Sequence, residues 1–132
     1  MRKILCFISV CVTALALGAC GNAGPEETAK TFTKAVYTND VDTAAELICI
    51  RETDPPGSKD MVRGKLTQHL ASEQRKVEKK GGIEEIVVEK MEVAPDGNNA
   101  KGKVKITYKK SEKADTDPIE LSKLNGKWCI EP

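Results

Sequence analysis

The side chain best suited to chemistry in this 132-residue chain is Cys20, which follows an apolar stretch near the amino terminus. The residues Leu-Gly-Ala-Cys at 17–20 close the uncharged stretch 4–17, and Arg2 and Lys3 precede it. A positive end, an apolar core and small residues before the cleavage point are typical of an exported signal peptide. A cysteine placed directly after such a point receives a diacylglyceryl group through a thioether. The pattern therefore predicts the lipobox of a bacterial lipoprotein, acylated at Cys20 with palmitate-type chains.

The same stretch defines the expected domain organisation. It is shorter than the about 20 apolar residues that a helix needs to span a bilayer. We expect a signal peptide at 1–19, the lipidated cysteine and a short tether at 20–24, and a single domain at 25–132. Gly21 stands where an aspartate would retain a lipoprotein in the inner membrane of enteric bacteria. The predicted localisation is the cell envelope, with the periplasmic face of the outer membrane favoured and the membrane as a partner through the anchor.

The other cysteines divide into two groups. Cys6 and Cys11 lie in the apolar stretch and leave with the signal peptide, so Cys49 and Cys129 are the remaining thiols of the mature domain. An exported chain meets an oxidising compartment in many bacteria, where an even pair is compatible with one disulfide. Two buried free thiols explain the same residues, and the sequence leaves both alternatives open.

Catalytic and metal-binding patterns are absent from the sequence. His69 is the single histidine, and one histidine with two distant cysteines does not make a metal-ligand set. The chain has no Gly-x-Ser-x-Gly elbow, no phosphate-binding glycine loop and no metalloprotease pair of histidines. We assign Asp115 and Asp117 to a loop, where turn chemistry accounts for aspartates. We expect no catalytic residue, no cofactor and no metal.

The aromatic residues are the better candidates for a binding pocket. Phe32 and Trp128 fit core positions in their segments. Tyr37 and Tyr108 are compatible with lining a pocket, since a binding site needs an apolar wall and a few placed polar groups. His69 and Trp128 complete the set of candidate lining residues.

The charge balance excludes one class of partner. The formal net charge is +1, with 21 basic and 20 acidic residues, whereas nucleic-acid binding usually requires a marked basic excess. We therefore expect no nucleic-acid partner. The alternating lysines at 101, 103, 105 and 109 are compatible with binding anionic headgroups. The glutamates at 84, 85, 89 and 92 can neutralise them across paired strands, and we favour this interpretation of a solvated structural face.

The elements that must position these residues follow from hydrophobic periodicity. Helical spacing predicts three helices at about 25–38, 41–48 and 59–80, the last ending at Gly81-Gly82. Strands are expected at 83–93, 100–109, 118–124 and 127–131, with turns at 95–98 and at Asn125-Gly126. The predicted fold is α+β, with three amino-terminal helices followed by a four-stranded antiparallel sheet.

Short segments spread over the mature chain carry a family resemblance. They are Pro-Glu-Glu-Thr-Ala-Lys-Thr-Phe at 25–32, the Asn-Asp break at 39–40 before Ala-Glu-Leu-Ile at 45–48, and Ile-Glu-Leu at 119–121 before Asn-Gly-Lys-Trp at 125–128. With them the chain resembles small bacterial lipoproteins of unknown function that have a nuclear transport factor 2-like domain. The resemblance implies a cone in which a curved sheet wraps a long helix, often with a pocket at the open end. It also implies that a homodimer can form through the sheet.

The fold leaves the function open, because it hosts isomerases, dehydratases, transport factors and adaptors alike. We expect a lipid-anchored, non-enzymatic binding or interaction module whose partner is an envelope protein or a small apolar ligand. The alternative is a small-molecule enzyme of the isomerase or dehydratase type that uses a polar residue such as His69. An aspartate or His69 buried in an open cavity beside Tyr37 or Tyr108 would favour the enzyme. A cone filled by side chains such as Phe32 and Trp128 would favour the adaptor.

Overall fold

The computed structural model describes residues 23–132, in which three helices precede four strands. The elements are α1 (Pro25–Tyr37), α2 (Val41–Leu47), α3 (Ser58–Lys79), β1 (Ile83–Val93), β2 (Asn99–Tyr108), β3 (Ser111–Leu124) and β4 (Lys127–Ile130). Their order and the α+β class confirm the predicted architecture. The predicted signal peptide, Cys20 and Gly21 lie outside the described residues.

Local chemistry explains where the helices begin and end. Pro25 opens α1, where its missing N–H costs nothing. The Asp40 carboxylate accepts the backbone N–H of Thr43 at 3.1 Å and caps α2. Gly81 and Gly82 follow α3 with φ values of +83° and +93°, a region that glycine enters without steric cost. Within residues 23–132, no helix has the length and apolar character that crossing a membrane requires.

The four strands form one antiparallel sheet in the order β1-β2-β3-β4. Each strand pairs with its neighbours in sequence, so tight turns suffice to connect them. Between β3 and β4, Asn125 and Gly126 have φ values of +51° and +79°, as a two-residue hairpin turn requires. The predicted antiparallel sheet is therefore a meander, in which strands that are neighbours in sequence pair.

One strand boundary differs from the prediction. β3 begins at Ser111, whereas the sequence predicted its start at about residue 118. The residues at 111–117 are mostly polar, so they lack the apolar content that marks a strand in a sequence. They are strand because the second half of β2 needs a partner: Lys105 pairs with Thr116, and Ile106 pairs with Asp115. Backbone pairing rather than side-chain character extends β3.

The main core lies between the sheet and α1. Helix α1 contacts all four strands, and Val104, Ile106 and Leu121 are at most 1% exposed beneath it. A second cluster joins the helices to one another, with Leu70 of α3 completely buried against Ala35 of α1 and neighbouring alanines of α2. Helix α3 therefore packs on α1 and α2 instead of lying flat on the sheet.

A disulfide and a short ladder fasten the segment after α2 to the last strand. Cys49 and Cys129 are bonded, with an S–S distance of 2.05 Å and a sequence separation of 80. Beside the bond, the backbone N–H of Cys49 donates to the Ile130 carbonyl at 2.8 Å. The segment after α2 is thus linked to β4 both covalently and by hydrogen bonding.

The lysines of β2 lie opposite carboxylates on the outer face of the sheet. The register pairs Glu89 with Lys103 and Glu92 with Lys101. On the other side, the Lys101 ammonium lies 3.4 Å from a carboxylate oxygen of Glu120. This arrangement matches the neutralised structural face that the sequence favoured over a headgroup site.

Candidate functional site

An open cleft of about 990 Å³ lies between α3 and β3. Helix α1 forms its floor, because α1 packs on the sheet while α3 packs on α1 and α2. One side presents α3 residues from Leu66 to Glu73 and beyond, and the other presents β3 residues from Asp115 to Glu120. The cleft exists because α3 stands away from the sheet.

Two tyrosine–aspartate hydrogen bonds form the polar end of the cleft. The Tyr37 hydroxyl donates to Asp117 Oδ2 at 3.1 Å. The Tyr108 hydroxyl donates to Asp115 Oδ2 at 2.6 Å. These bonds connect α1 and β2 to β3 and hold both carboxylates at the cleft.

Lys80, the residue after α3, joins this cluster. Its ammonium donates to Asp115 Oδ2 at 3.0 Å and lies 4.4 Å from the centre of the Tyr108 ring. An ammonium over an aromatic face is attracted by the negative charge of the ring face. Lys80 therefore links the end of α3 to both β2 and β3.

The alternation of β3 explains why the aspartates point toward the cleft. Ile119 and Leu121 lie on the helix-bearing face of the sheet, where they are buried. Side chains two residues apart share a face of a strand, so Asp115 and Asp117 continue the same face beyond the apolar core. The assignment of these aspartates to loop chemistry was wrong, and the early start of β3 is the reason.

The protonation states of the cluster follow from its hydrogen bonds. Burial, and then the negative charge of Asp117, raises the pKa of Tyr37 far above its ordinary value. Burial, and then the hydrogen bond to Asp115, raises the pKa of Tyr108 in the same way. The donors Tyr108 and then Lys80 hold the pKa of Asp115 below its ordinary value. At neutral pH both tyrosines are protonated donors and Asp115 is an ionised acceptor.

The Asp115 cluster predicts a pH-dependent contribution to stability. Above about pH 4, wild type should be more stable than Asp115→Asn, because ionised Asp115 is held by two donors. As pH falls below about 4, the unfolded aspartate binds a proton before the folded one does, so this advantage should decline. Urea unfolding at a series of pH values measures it. Tyr108→Phe removes one of the two donors and should weaken this pH dependence. A stability difference between wild type and Asp115→Asn that does not change with pH would contradict the assignment of Asp115 as an ionised acceptor.

One face of α3 brings further polar side chains to the cleft. His69, Glu73, Lys76 and Lys80 are spaced by four, three and four residues, so they lie in a row on the helix. The Lys76 ammonium lies 2.9 Å from Glu73 Oε1. His69 is exposed at the mouth of the cleft.

The other end of the cleft is apolar. Phe32 and Val36 of α1, Leu66 of α3, Ile48 and Ile130 line it. Phe32, Val36 and Ile48 are only partly buried, so apolar surface remains accessible inside the cleft. The cavity therefore combines an apolar wall with a cluster of polar groups, the usual composition of a small-ligand site.

The predicted lining residues do not all reach the cleft. Tyr37 and His69 line it, whereas Tyr108 lies behind Asp115 and acts on the cleft through that carboxylate. Trp128 packs against the main core, with the Lys123 ammonium 5.7 Å from its ring centre. Prediction from sequence missed Asp115, Asp117 and Lys80, and the alternation 115-117-119-121 was the available indication for the two aspartates.

The described lining of the cleft contains neither serine nor cysteine, the usual nucleophiles of acyl transfer. Cys49 and Cys129 are joined to each other. Thr33 lines the cleft, but its hydroxyl donates to the Ala29 carbonyl at 2.8 Å. Over residues 23–132 the structure has no group of histidine, cysteine, aspartate and glutamate side chains placed to hold a metal ion. The arrangement is equipped for hydrogen bonding and charge recognition.

Solved structures were compared with this chain. A Campylobacter jejuni protein, whose description suggests an NTF2-like transpeptidase, is 26% identical, with a TM-score of 0.75 over 83% of this chain and 99% of that chain. A de novo designed protein of the NTF2 fold is 15% identical, with a TM-score of 0.46 over 85% of this chain and 87% of that one. No curated protein matches the chain.

The fold is thus that of nuclear transport factor 2-like proteins, as the resemblance in sequence implied. A family model described as a domain of unknown function matches residues 18–131. This match includes every helix and strand of the described domain. The chain therefore belongs to the family of the domain of unknown function DUF4878.

Proposed function

We propose that the protein is a lipid-anchored binding module of the cell envelope, and that the cleft between α3 and β3 holds its ligand. The open cleft, with one apolar end and one polar end, is the observation that carries this proposal. The sequence around Cys20 supports the anchor, since acylation there leaves four residues before Pro25, where α1 begins. Such a short tether would keep the cleft close to a membrane surface.

The description of the C. jejuni relative as a transpeptidase raises the question of acyl transfer here. A transpeptidase needs an activated serine, cysteine or similar nucleophile next to a general base. The described lining of this cleft contains neither serine nor cysteine, and its threonine Thr33 is hydrogen-bonded to the backbone of its own helix. These observations favour binding over acyl transfer.

An isomerase or dehydratase is the second candidate, because Asp115 and Asp117 lie beside Tyr108 and Tyr37 at an open cleft. A general base works best with a pKa near the operating pH. The donors Tyr108 and Lys80 lower the pKa of Asp115 instead, and the side chain is 45% exposed. The geometry therefore supports Asp115 as a structural acceptor better than as a base.

Two variants of the full chain, expressed in cells, test the two parts of the proposal: the lipid anchor and the ligand site. Cys20→Ser removes the acylated sulfur and should move the protein from the membrane fraction to the soluble fraction. His69→Trp places a large ring at the exposed mouth of the cleft and should abolish any non-covalent adduct that native mass spectrometry detects on the wild-type lipoprotein. Gln68→Trp, on the exposed surface of α3 outside the cleft lining, is the matched control. Continued membrane fractionation of Cys20→Ser, or an equal adduct on His69→Trp, would contradict the proposal.

A further inference from the structure

The hydrogen bonds at the polar end of the cleft determine which ligand groups it can satisfy. Each tyrosine has one O–H donor, and both donors are already used on Asp115 and Asp117. The groups that Tyr37, Asp115 and Asp117 leave for a ligand are therefore the free lone pairs of their oxygens. A ligand that donates hydrogen bonds fits these groups.

The charges of the lining favour the same kind of ligand. Five carboxylates and two lysines line the cleft: Glu73, Asp115, Asp117, Glu120, Glu131, Lys76 and Lys80. Four of these carboxylates already have a cationic partner: Glu73 has Lys76, Asp115 has Lys80, Glu120 has Lys101 and Glu131 has Arg51. Among the described residues, Asp117 is held by the neutral Tyr37 hydroxyl and has no cationic partner. Asp117 therefore supplies a negative charge that a cation in the cleft can neutralise.

The apolar end limits the ligand further. The partly buried side chains Phe32, Val36 and Ile48 leave apolar surface that a hydrocarbon group can cover. Covering it removes apolar area from water on both partners, which favours binding in proportion to the area covered. A ligand with a donor cation at one end and a hydrocarbon chain at the other would match both ends of the cleft.

We propose that the cleft binds amphiphilic amines, with the ammonium group at Asp117 and Tyr37 and the hydrocarbon chain against Phe32, Val36 and Ile48. This inference rests on the proposed binding function and names the chemical class of its ligand. The ammonium donates to Asp117 and to the Tyr37 oxygen, whose own proton stays on the Asp117 side. Lys80 remains paired with Asp115, so its charge is balanced within the protein.

Binding of n-butylammonium, butyrate and methylammonium to the full lipoprotein in a neutral detergent tests the inference. Titrations followed by backbone amide NMR should show n-butylammonium binding about tenfold more tightly than butyrate, with shifts at Tyr37 and Asp117. Methylammonium should bind about tenfold more weakly than n-butylammonium, because it lacks the three methylene groups that would cover the apolar wall. The shifts should include Phe32 or Val36 only when the butyl chain is present.

Two charge-neutralising variants distinguish binding at Asp117 from a general effect of the protein's negative charges. Asp117→Asn keeps an acceptor for Tyr37 but removes the charge, and it should weaken n-butylammonium binding about tenfold. Glu46→Gln removes the same charge from the exposed surface of α2 and should leave binding unchanged. The inference would be overturned by equal weakening in both variants or by equal binding of butyrate. It would also be overturned by shifts confined to a second groove between α1 and β1, which residues such as Lys34 and Met91 line. If n-butylammonium does not bind, but wild type carries an adduct that His69→Trp lacks, the proposed binding function stands and the proposed ligand class is wrong.

Discussion

Replacing Cys49 and Cys129 together by alanine should lower the free energy of unfolding by about 4 kcal/mol. The bond closes a loop with 80 residues of sequence separation, and the cost of closing so long a loop in the unfolded chain gives about this value. Domains of this size have a total stability of about 5–15 kcal/mol, so the variant should lose a large fraction of it. Urea unfolding of the oxidised wild type and the double variant measures the difference.

The reduced wild-type protein is the control for this prediction. Cys49 is only 3% exposed, so alanine there also removes a buried sulfur. Reduction breaks the cross-link and leaves both side chains in place, and it should produce most of the same loss. A double variant within about 1 kcal/mol of the oxidised wild type would show that the cross-link contributes little.

Leu70→Ala should lower the free energy of unfolding by about 3 kcal/mol and loosen α3. Leu70 is 0% exposed and lies in the cluster that joins α3 to α1 and α2. Truncating a buried leucine to alanine costs the transfer free energy of the lost methyl groups and leaves a cavity, for a total of about 2–5 kcal/mol. Because α3 packs mainly on those two helices, the loss falls on the contacts that hold one wall of the cleft.

Met61→Ala on the same helix is the matched control. Met61 is 60% exposed, so its truncation should change the free energy of unfolding by at most about 0.5 kcal/mol. Hydrogen exchange should then be faster along α3 in Leu70→Ala and unchanged in Met61→Ala. An equal loss in the two variants, or exchange that increases only in the sheet, would contradict the packing described for α3.

Most elements of the fold could be predicted because their local chemistry agrees with the final structure. Pro25 begins a helix, Gly81 and Gly82 end one, and Asn125-Gly126 forms the turn that its backbone preference requires. In these places the same residues determine the local conformation in a peptide and in the folded protein. The short segments that resemble a known family lie at helix starts and at the turn between strands, so the resemblance predicted the same elements.

The candidate site was harder to predict because its groups meet only after strands pair. Tyr37 and Asp117 are 80 residues apart in sequence, and their hydrogen bond depends on α1 crossing the face of β3. Asp115 lies in a polar segment whose strand conformation comes from pairing with Ile106 of β2. No local pattern near either aspartate marks it as part of a cleft, apart from the alternation that continues to Ile119.

Local sequence sets the order of helices and strands, the apolar face of each, and the motif at Cys20 from which an anchor is predicted. Those properties depend on neighbours within a few residues along the chain. The folded structure adds that α3 stands away from the sheet, that Cys49 is bonded to Cys129, and that Asp115 and Asp117 point into the cleft between α3 and β3. The physical reason is that helix packing and strand register bring distant residues together, and both depend on the whole core rather than on any one segment.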